Sequence, residues 1–248
     1  MNSSTRFHRL PLRRRALLAL ATVVAGGVLA TGCGAGSSGP VGIAPTNHTG
    51  STMAEVVRTD HDLVAHLAPD AASATETLPA KTPLGSPTAL LVTGQQPGWT
   101  QVLVPGRPVG ATAWLADPGL DLRPVSTEIR VDLATRTLTV YEANQAILST
   151  PAAIGAPATP TPTGRFSMTD KLDTQNPGGA YGRYAFGLSG RSAVLTEFDG
   201  GDGQIGIHGT NVPSSIGQAV SHGCVRVPNT VMEQLDAILP LGTPVVIG

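Results

Sequence analysis

Cysteine is almost absent from this chain: there are two in 248 residues, Cys33 and Cys224. Cys33 closes an apolar N-terminal run, and Cys224 lies far along the chain between Gly223 and Val225. If Cys33 is removed or modified, Cys224 has no intramolecular partner, and a lone unpaired cysteine outside the cell is a candidate reactive thiol. The plainer alternative is a buried, inert cysteine of the kind common in cores. Aromatic residues make up 4% and charged residues 13%, against 30 glycines and 21 prolines. That balance favours strands and turns over long helices. Lysine is also scarce, with Lys81 and Lys171 the only two among sixteen basic residues. The glycine-rich loop Pro177-Gly178-Gly179-Ala180-Tyr181-Gly182 has no lysine and no helix signal after it, which excludes a phosphate cradle. His61 and His66 have no cysteine near them and do not form the spaced ligand set of a metal site, so both read as surface residues.

At the N-terminus the missing group is acid. Residues 1–15 hold Arg6, Arg9, Arg13, Arg14 and Arg15 with no Asp or Glu, and residues 16–30 carry no charge. A basic start, a short apolar run and small residues at its exit describe a secretory signal peptide over residues 1–32. The run falls short of the roughly 20 apolar residues that span a bilayer, which weighs against a retained helix. Ala30-Thr31-Gly32-Cys33 resembles a bacterial lipobox, in which the cysteine is lipidated and becomes the new N-terminus. Ala30 departs from the larger aliphatic residue usual there, and ordinary cleavage leaving a soluble protein is the alternative. Arg14-Arg15 followed by Ala16-Leu17-Leu18 matches a twin-arginine signal poorly. Removal of residues 1–32 leaves eleven basic residues against seventeen acidic, a net charge of −6. That argues against nucleic acid as a partner, which calls for a basic face. The expected location is the outer face of the plasma membrane or the cell wall, with a lipid anchor at Cys33.

Residues 33–51 are rich in Gly, Ser, Pro and Thr and contain no aromatic residue. Such a stretch cannot bury enough surface to order itself and reads as a flexible tether. Over residues 52–125 short apolar runs, such as Thr88-Ala89-Leu90-Leu91-Val92 and Ala113-Trp114-Leu115-Ala116, alternate with turn residues such as Gln96-Pro97-Gly98 and Pro105-Gly106-Arg107-Pro108. Strands at this spacing predict a small barrel or sandwich. Trp99-Thr100-Gln101-Val102-Leu103-Val104-Pro105, Arg107-Pro108-Val109-Gly110 and Trp114-Leu115 resemble the bacterial SH3-like domains that precede cell-wall enzymes. That resemblance implies a wall-binding or positioning role. Trp99 and Trp114 are read as core, because large aromatics dominate small cores; a ligand platform is the alternative.

Residues 126–248 form the second expected domain. Glu128-Ile129-Arg130-Val131-Asp132-Leu133 alternates strictly, and Leu138-Thr139-Val140-Tyr141 returns after a turn, giving a hairpin. In a strand through residues 204–208, Ile205 and Ile207 point one way and His208 shares the other face with Gln204 and Gly206. In a strand through residues 224–227, Val225 and Val227 point inward and place Cys224 and Arg226 opposite. If these strands pair, His208, Cys224 and Arg226 gather on one exposed surface, and Gly206, Gly209 and Gly223 leave room for a substrate backbone. Asn229 or Thr230 is read as the cap of a following helix, with Glu233 three residues after Thr230 and an apolar stripe of Val231, Leu235, Ile238 and Leu239. Residues 242–247 close as a strand. The expected fold is mainly β with one short helix near the C-terminus.

Thr161-Pro162-Thr163-Gly164-Arg165-Phe166, Ile207-His208-Gly209-Thr210, Ser221-His222-Gly223-Cys224-Val225-Arg226 and the terminal Gly242-Thr243-Pro244-Val245-Val246-Ile247 resemble, in order, the landmarks of the L,D-transpeptidase (YkuD-type) catalytic domain. The resemblance implies a β-sandwich or barrel in which Cys224 is the nucleophile, His208 its base, and the Gly209 carbonyl helps orient the pair. It implies an oxyanion hole from the Gly223 and Cys224 N–H groups, with Ser221 and His222 shaping the pocket. Pairing with an imidazolium would lower the thiol pKa by units. Arg226 stands where some members carry Asn, and its guanidinium suits a substrate carboxylate; an ion pair within the fold is the alternative. Tyr184 and Phe186 are read as core rather than cleft. The implied reaction joins peptidoglycan stem peptides by 3→3 bridges through a Cys acyl-enzyme, with no metal or cofactor and with carbapenem β-lactams as inhibitors. Water in place of the acceptor amine would make the same site an L,D-carboxypeptidase. A non-catalytic wall-binding lipoprotein and a papain-like protease are the competing classes; the second lacks its local signature.

Overall fold

A computed structural model describes residues 54–198 and 200–248. The signal peptide, lipobox and tether expected over residues 1–51 lie outside the described residues. The first part of the described chain supplies seven strands: β1 (Ala54–Arg58), β2 (Leu63–His66), β3 (Thr75–Leu78), β4 (Ala89–Gln96), β5 (Trp99–Leu103), β6 (Thr112–Ala116) and β7 (Asp121–Val125). They form one sheet in the order β3-β2-β6-β5-β4-β1-β7, every neighbouring pair antiparallel. Val57, Leu63, Ala65, Leu90, Val102, Ala113 and Leu115 pack as its core.

The two tryptophans are not in that core. Strand alternation turns Val102, Ala113 and Leu115 inward, so Trp99 and Trp114 emerge on the opposite face, partly buried. Trp114 lies across from both Gln101 and His66, and the Trp99 ring meets His66 edge-on with centroids 5.0 Å apart. The core expectation for the tryptophans is therefore corrected. His66 is correspondingly half-covered, not bare.

The second sheet has eight strands. In chain order they are β8 (Thr127–Asp132), β9 (Thr137–Glu142), β10 (Gln145–Pro151), β12 (Gly164–Asp173), β13 (Tyr184–Arg191), β14 (Gln204–His208), β16 (Val225–Arg226) and β17 (Pro244–Ile247). Their spatial order is β10-β9-β8-β17-β12-β13-β14-β16. A separate parallel pair joins β11 (Ile154–Gly155) to β15 (Ala219–Ser221). The predicted hairpin is β8 and β9, with Ile129, Val131, Leu138 and Val140 all turned into the core.

Helix α1 (Asn229–Ile238) packs on this sheet through Met232 and Leu235, joined by Leu239 just beyond its end. The stripe thus runs through Met232; Ile238, expected on it, is 42% exposed. Burial of an aliphatic side chain of this size contributes about 1.5 to 3 kcal/mol. Lys171 Nζ donates to the carbonyls of Asp236 (2.6 Å) and Leu239 (3.1 Å), placing a cation where the helix leaves its last acceptors free.

The two sheets are joined by specific contacts. Thr82 Oγ1 donates to Asp170 Oδ1 (2.5 Å), a carboxylate that is 1% exposed and also accepts from Thr169 and Gln204. The Lys171 N–H donates to Ser86 Oγ (3.4 Å), and the Gly106 N–H to the Ser189 carbonyl (3.1 Å). These hydrogen bonds satisfy polar groups that burial would otherwise leave unpaired.

Candidate active site

The site is assembled on β14. One neighbour, β13, runs antiparallel to it; the other, β16, runs parallel, with Ile207 opposite Val225 and His208 opposite Arg226. Alternation then does the sorting. Ile205, Ile207, Val225 and Val227 are buried at 2% exposure or less, while Cys224 and Arg226 are left partly accessible on the other face. The pairing expected from the sequence is present. The surface is not open at His208, however: its side chain is 4% exposed, and the Tyr181 ring meets it edge-on at 4.8 Å. Tyr181 lies in the glycine-rich loop and escaped notice because nothing in its local pattern couples it to a residue 27 positions away.

His208 Nδ1 is 2.6 Å from the Gly209 carbonyl oxygen. A carbonyl only accepts, so Nδ1 carries the proton and Nε2 is left with a free lone pair. Gly209 is held from the helix side. Asn229 Oδ1 accepts from the Thr210 N–H at 2.7 Å, and a Cβ on Gly209 would overlap that oxygen. Asn229 therefore does not cap α1. The helix begins after Pro228 with no side-chain cap bond, and the expected Thr230–Glu233 box is not formed. The asparagine is spent instead on the segment that orients His208. Asn229→Ala leaves a buried N–H unpaired, so we expect it to lower unfolding stability by about 1 to 3 kcal/mol, with Asn229→Asp, which keeps the acceptor, closer to wild type. Chemical denaturation of the three proteins checks this; equal stability of the alanine variant contradicts it.

The Ser221-His222-Gly223-Cys224 segment is a tight turn. Ser221 Oγ donates to the Cys224 carbonyl (2.5 Å) and accepts from the Gly223 N–H (3.1 Å). Gly223 sits at φ +118°, a conformation that favours glycine, and a Cβ there would press on Ile205 Cδ1. Ser221 is 1% exposed and holds the turn from inside. The expectation that the Gly223 N–H faces an oxyanion is corrected, because the turn itself consumes that donor. His222 is exposed, its ring 5.1 Å from that of Phe198.

Electrostatics set the resting state of the pair. Burial lowers the pKa of His208 to about 4; the bond to the Gly209 carbonyl opposes this, and the positive charge of Arg226 adds to it. Burial raises the pKa of the Cys224 thiol, opposed by the backbone N–H of Gly206 and by Arg226. At neutral pH the two are a neutral imidazole and a neutral thiol, so the expected lowering of the thiol by an imidazolium is not how this site rests. Arg226 Nε is buried without a hydrogen-bond partner. Its backbone is paired in both directions with Ala153 at 2.8 Å. A guanidinium with an unspent donor beside a thiol is suited to an incoming anionic group.

A mainly β chain in which Cys224, the one unpaired cysteine among the described residues, leads into the strand next to the one that ends on a buried, carbonyl-oriented histidine defines a candidate acyl-transfer site. The YkuD family, the L,D-transpeptidase catalytic domain, matches residues 126–247. YkuD of Bacillus subtilis (strain 168), a candidate L,D-transpeptidase, is 39% identical over 132 residues, which cover 53% of this chain and 72% of that protein. Its namesake in Bacillus licheniformis is 41% identical over 117 residues, 47% of this chain and 62% of that one. Among solved structures, Bd1075 of Bdellovibrio bacteriovorus is 31% identical, with a TM-score of 0.40, covering 50% of this chain and about half (48%) of that one. The chain belongs to the YkuD L,D-transpeptidase family.

Proposed function

We propose that this protein is a peptidoglycan L,D-transpeptidase that forms 3→3 cross-links through an acyl-enzyme on Cys224. The observation that carries this is the His208 arrangement: Nδ1 is committed to the Gly209 carbonyl, on a strand whose neighbour presents Cys224 and Arg226. His208 Nε2 takes the thiol proton as Cys224 Sγ attacks the carbonyl of the third stem residue. Deprotonation during attack suits a pair that rests neutral, and the charge of Arg226 favours the thiolate as it forms. The Cys224 N–H is the oxyanion donor we assign, since the Gly223 N–H is engaged by Ser221. The tetrahedral adduct collapses to a thioester and expels the terminal D-alanine, whose amine receives the proton from His208. The side-chain amine of a second stem then resolves the thioester and regenerates the thiol. We assign Arg226 to a carboxylate of the substrate, and His222 to the wall of the cleft. Carbapenems acylate the same sulfur.

This reading includes export, lipidation at Cys33 with residues 33–51 as tether, and an SH3-like domain over residues 52–125 that places residues 126–248 at the wall. The discriminating experiment incubates the purified protein, wild type and Cys224→Ala, with disaccharide-tetrapeptide and follows products by mass spectrometry. Cross-linked dimer with loss of D-alanine supports transpeptidation. Loss of D-alanine alone moves the assignment to an L,D-carboxypeptidase. The absence of any Cys224-dependent product sinks both.

A further inference from the structure

We propose that Arg107, from the first sheet, is a positioning residue for the cleft beside Cys224, acting through the hairpin that carries Phe198; this rests on the assignment of Cys224 as nucleophile. The connection between β13 and β14 leaves the second sheet at Arg191 and returns at Gln204. Its two legs are tied together at the base. The Ser192 N–H donates to the Gly203 carbonyl (2.8 Å), and Arg191 Nε pairs with Asp202 Oδ2 (2.6 Å). Gly203 is packed so closely that a Cβ there would overlap the Leu195 carbonyl. At the far end Phe198 and Gly201 exchange backbone hydrogen bonds of 3.0 and 2.9 Å. The Phe198 ring, 41% exposed, lies against His222 at a tilt of 32°. His222 is two residues from the thiol in the same turn, and we take this ring pair as one side of the approach to it.

Arg107 reaches this hairpin from the turn between β5 and β6. Its Nη2 donates to the Ser192 carbonyl at 2.8 Å, with the Asp202 (3.4 Å) and Leu195 (3.5 Å) carbonyls also in range. One guanidinium nitrogen thus bridges the outgoing and returning legs. The neighbouring Gly106 N–H fixes the start of the same connection at Ser189. Hydrogen bonds from a charged donor are stronger than neutral ones, and a planar guanidinium loses little freedom in making them. The first sheet therefore sets where the hairpin stands, and through Phe198 it sets the width of the cleft on the His222 side. A stem peptide must enter past that wall for its carbonyl to reach Cys224 Sγ.

The test compares the full chain with Arg107→Ala, Phe198→Ala and the double variant. Two rates are read: alkylation of the Cys224 peptide by iodoacetamide, and Cys224-dependent release of D-alanine from disaccharide-tetrapeptide with kcat and KM separated. Thermal unfolding serves as the check on folding. Each single variant is expected to speed alkylation severalfold and to lower kcat/KM for D-alanine release roughly tenfold or more, the scale of a remote misplacement. The double variant should match the single ones, because Arg107 acts through Phe198. Effects that multiply in the double variant, or an Arg107→Ala enzyme with wild-type alkylation and kinetics, overturn the proposal. If the wild type releases no D-alanine, the transpeptidase reading fails, and the alkylation rates still decide the role of Arg107.

Discussion

His208→Gln is expected to lower kcat/KM for Cys224-dependent D-alanine release about a thousandfold, the usual worth of a well-placed general base. Glutamine preserves bulk and can still donate toward the Gly209 carbonyl, but it has no lone pair able to take the thiol proton. The loss should be large because the thiol is not ionised in advance: burial holds its pKa up, so base removal leaves the neutral form as the sole nucleophile. Steady-state kinetics on disaccharide-tetrapeptide check this, and a loss of less than tenfold contradicts the assignment.

The pH dependence follows from the same residue. With a pKa of about 4, His208 stays a neutral base well below the 6.5 of an ordinary histidine, so the acidic limb of kcat/KM should fall near pH 4. Stability moves in the matching direction. Between about pH 4 and 6.5 the unfolded chain binds a proton at this position that the folded chain refuses. Stability therefore rises with pH across that window and is lost as pH falls through it, by about 3 kcal/mol in all. In His208→Gln that portion of the pH dependence should disappear. For Cys224 the sign reverses: its raised pKa costs stability only above the ordinary thiol range.

Cys224→Ala is expected to remove both D-alanine release and carbapenem adduct formation, a loss of about ten thousandfold or more. Cys224 is the one unpaired thiol among the described residues, and no neighbouring group can replace sulfur as the acyl carrier. The alanine variant should fold normally, since the turn around it is held by Ser221, whose hydroxyl bonds involve only backbone groups. Retained adduct formation in this variant would falsify the nucleophile assignment.

Alternation made the central geometry legible in the sequence. Ile205, Ile207, Val225 and Val227 could only be core, and that placed Cys224 and Arg226 together opposite them once the strands paired. The β8–β9 hairpin was legible for the same reason. What escaped were contacts between residues distant in sequence. Asn229 looks locally like a helix cap, and only the fold brings the Thr210 N–H to it. Tyr181 over His208 and Phe198 over His222 come from long connections, where no periodicity constrains a side chain. The Gly223 N–H illustrates a different limit: a motif names the residues of a turn but not which hydroxyl has already taken a donor. The tryptophans failed through a size argument. Aromatic bulk suggested core, while the alternation of Thr100, Val102, Ala113 and Leu115 had already filled it.

The central claim is that a stem peptide becomes a thioester on Cys224. Its most direct measurement is the intact mass of the protein quenched in acid shortly after mixing with disaccharide-tetrapeptide, followed by proteolysis to locate the adduct. The account predicts a mass increase equal to the tetrapeptide substrate less D-alanine, on the Cys224 peptide, accumulating more when the acceptor amine is blocked and absent in Cys224→Ala. Turnover of the substrate with no adduct on that peptide, or an adduct that persists in Cys224→Ala, contradicts it.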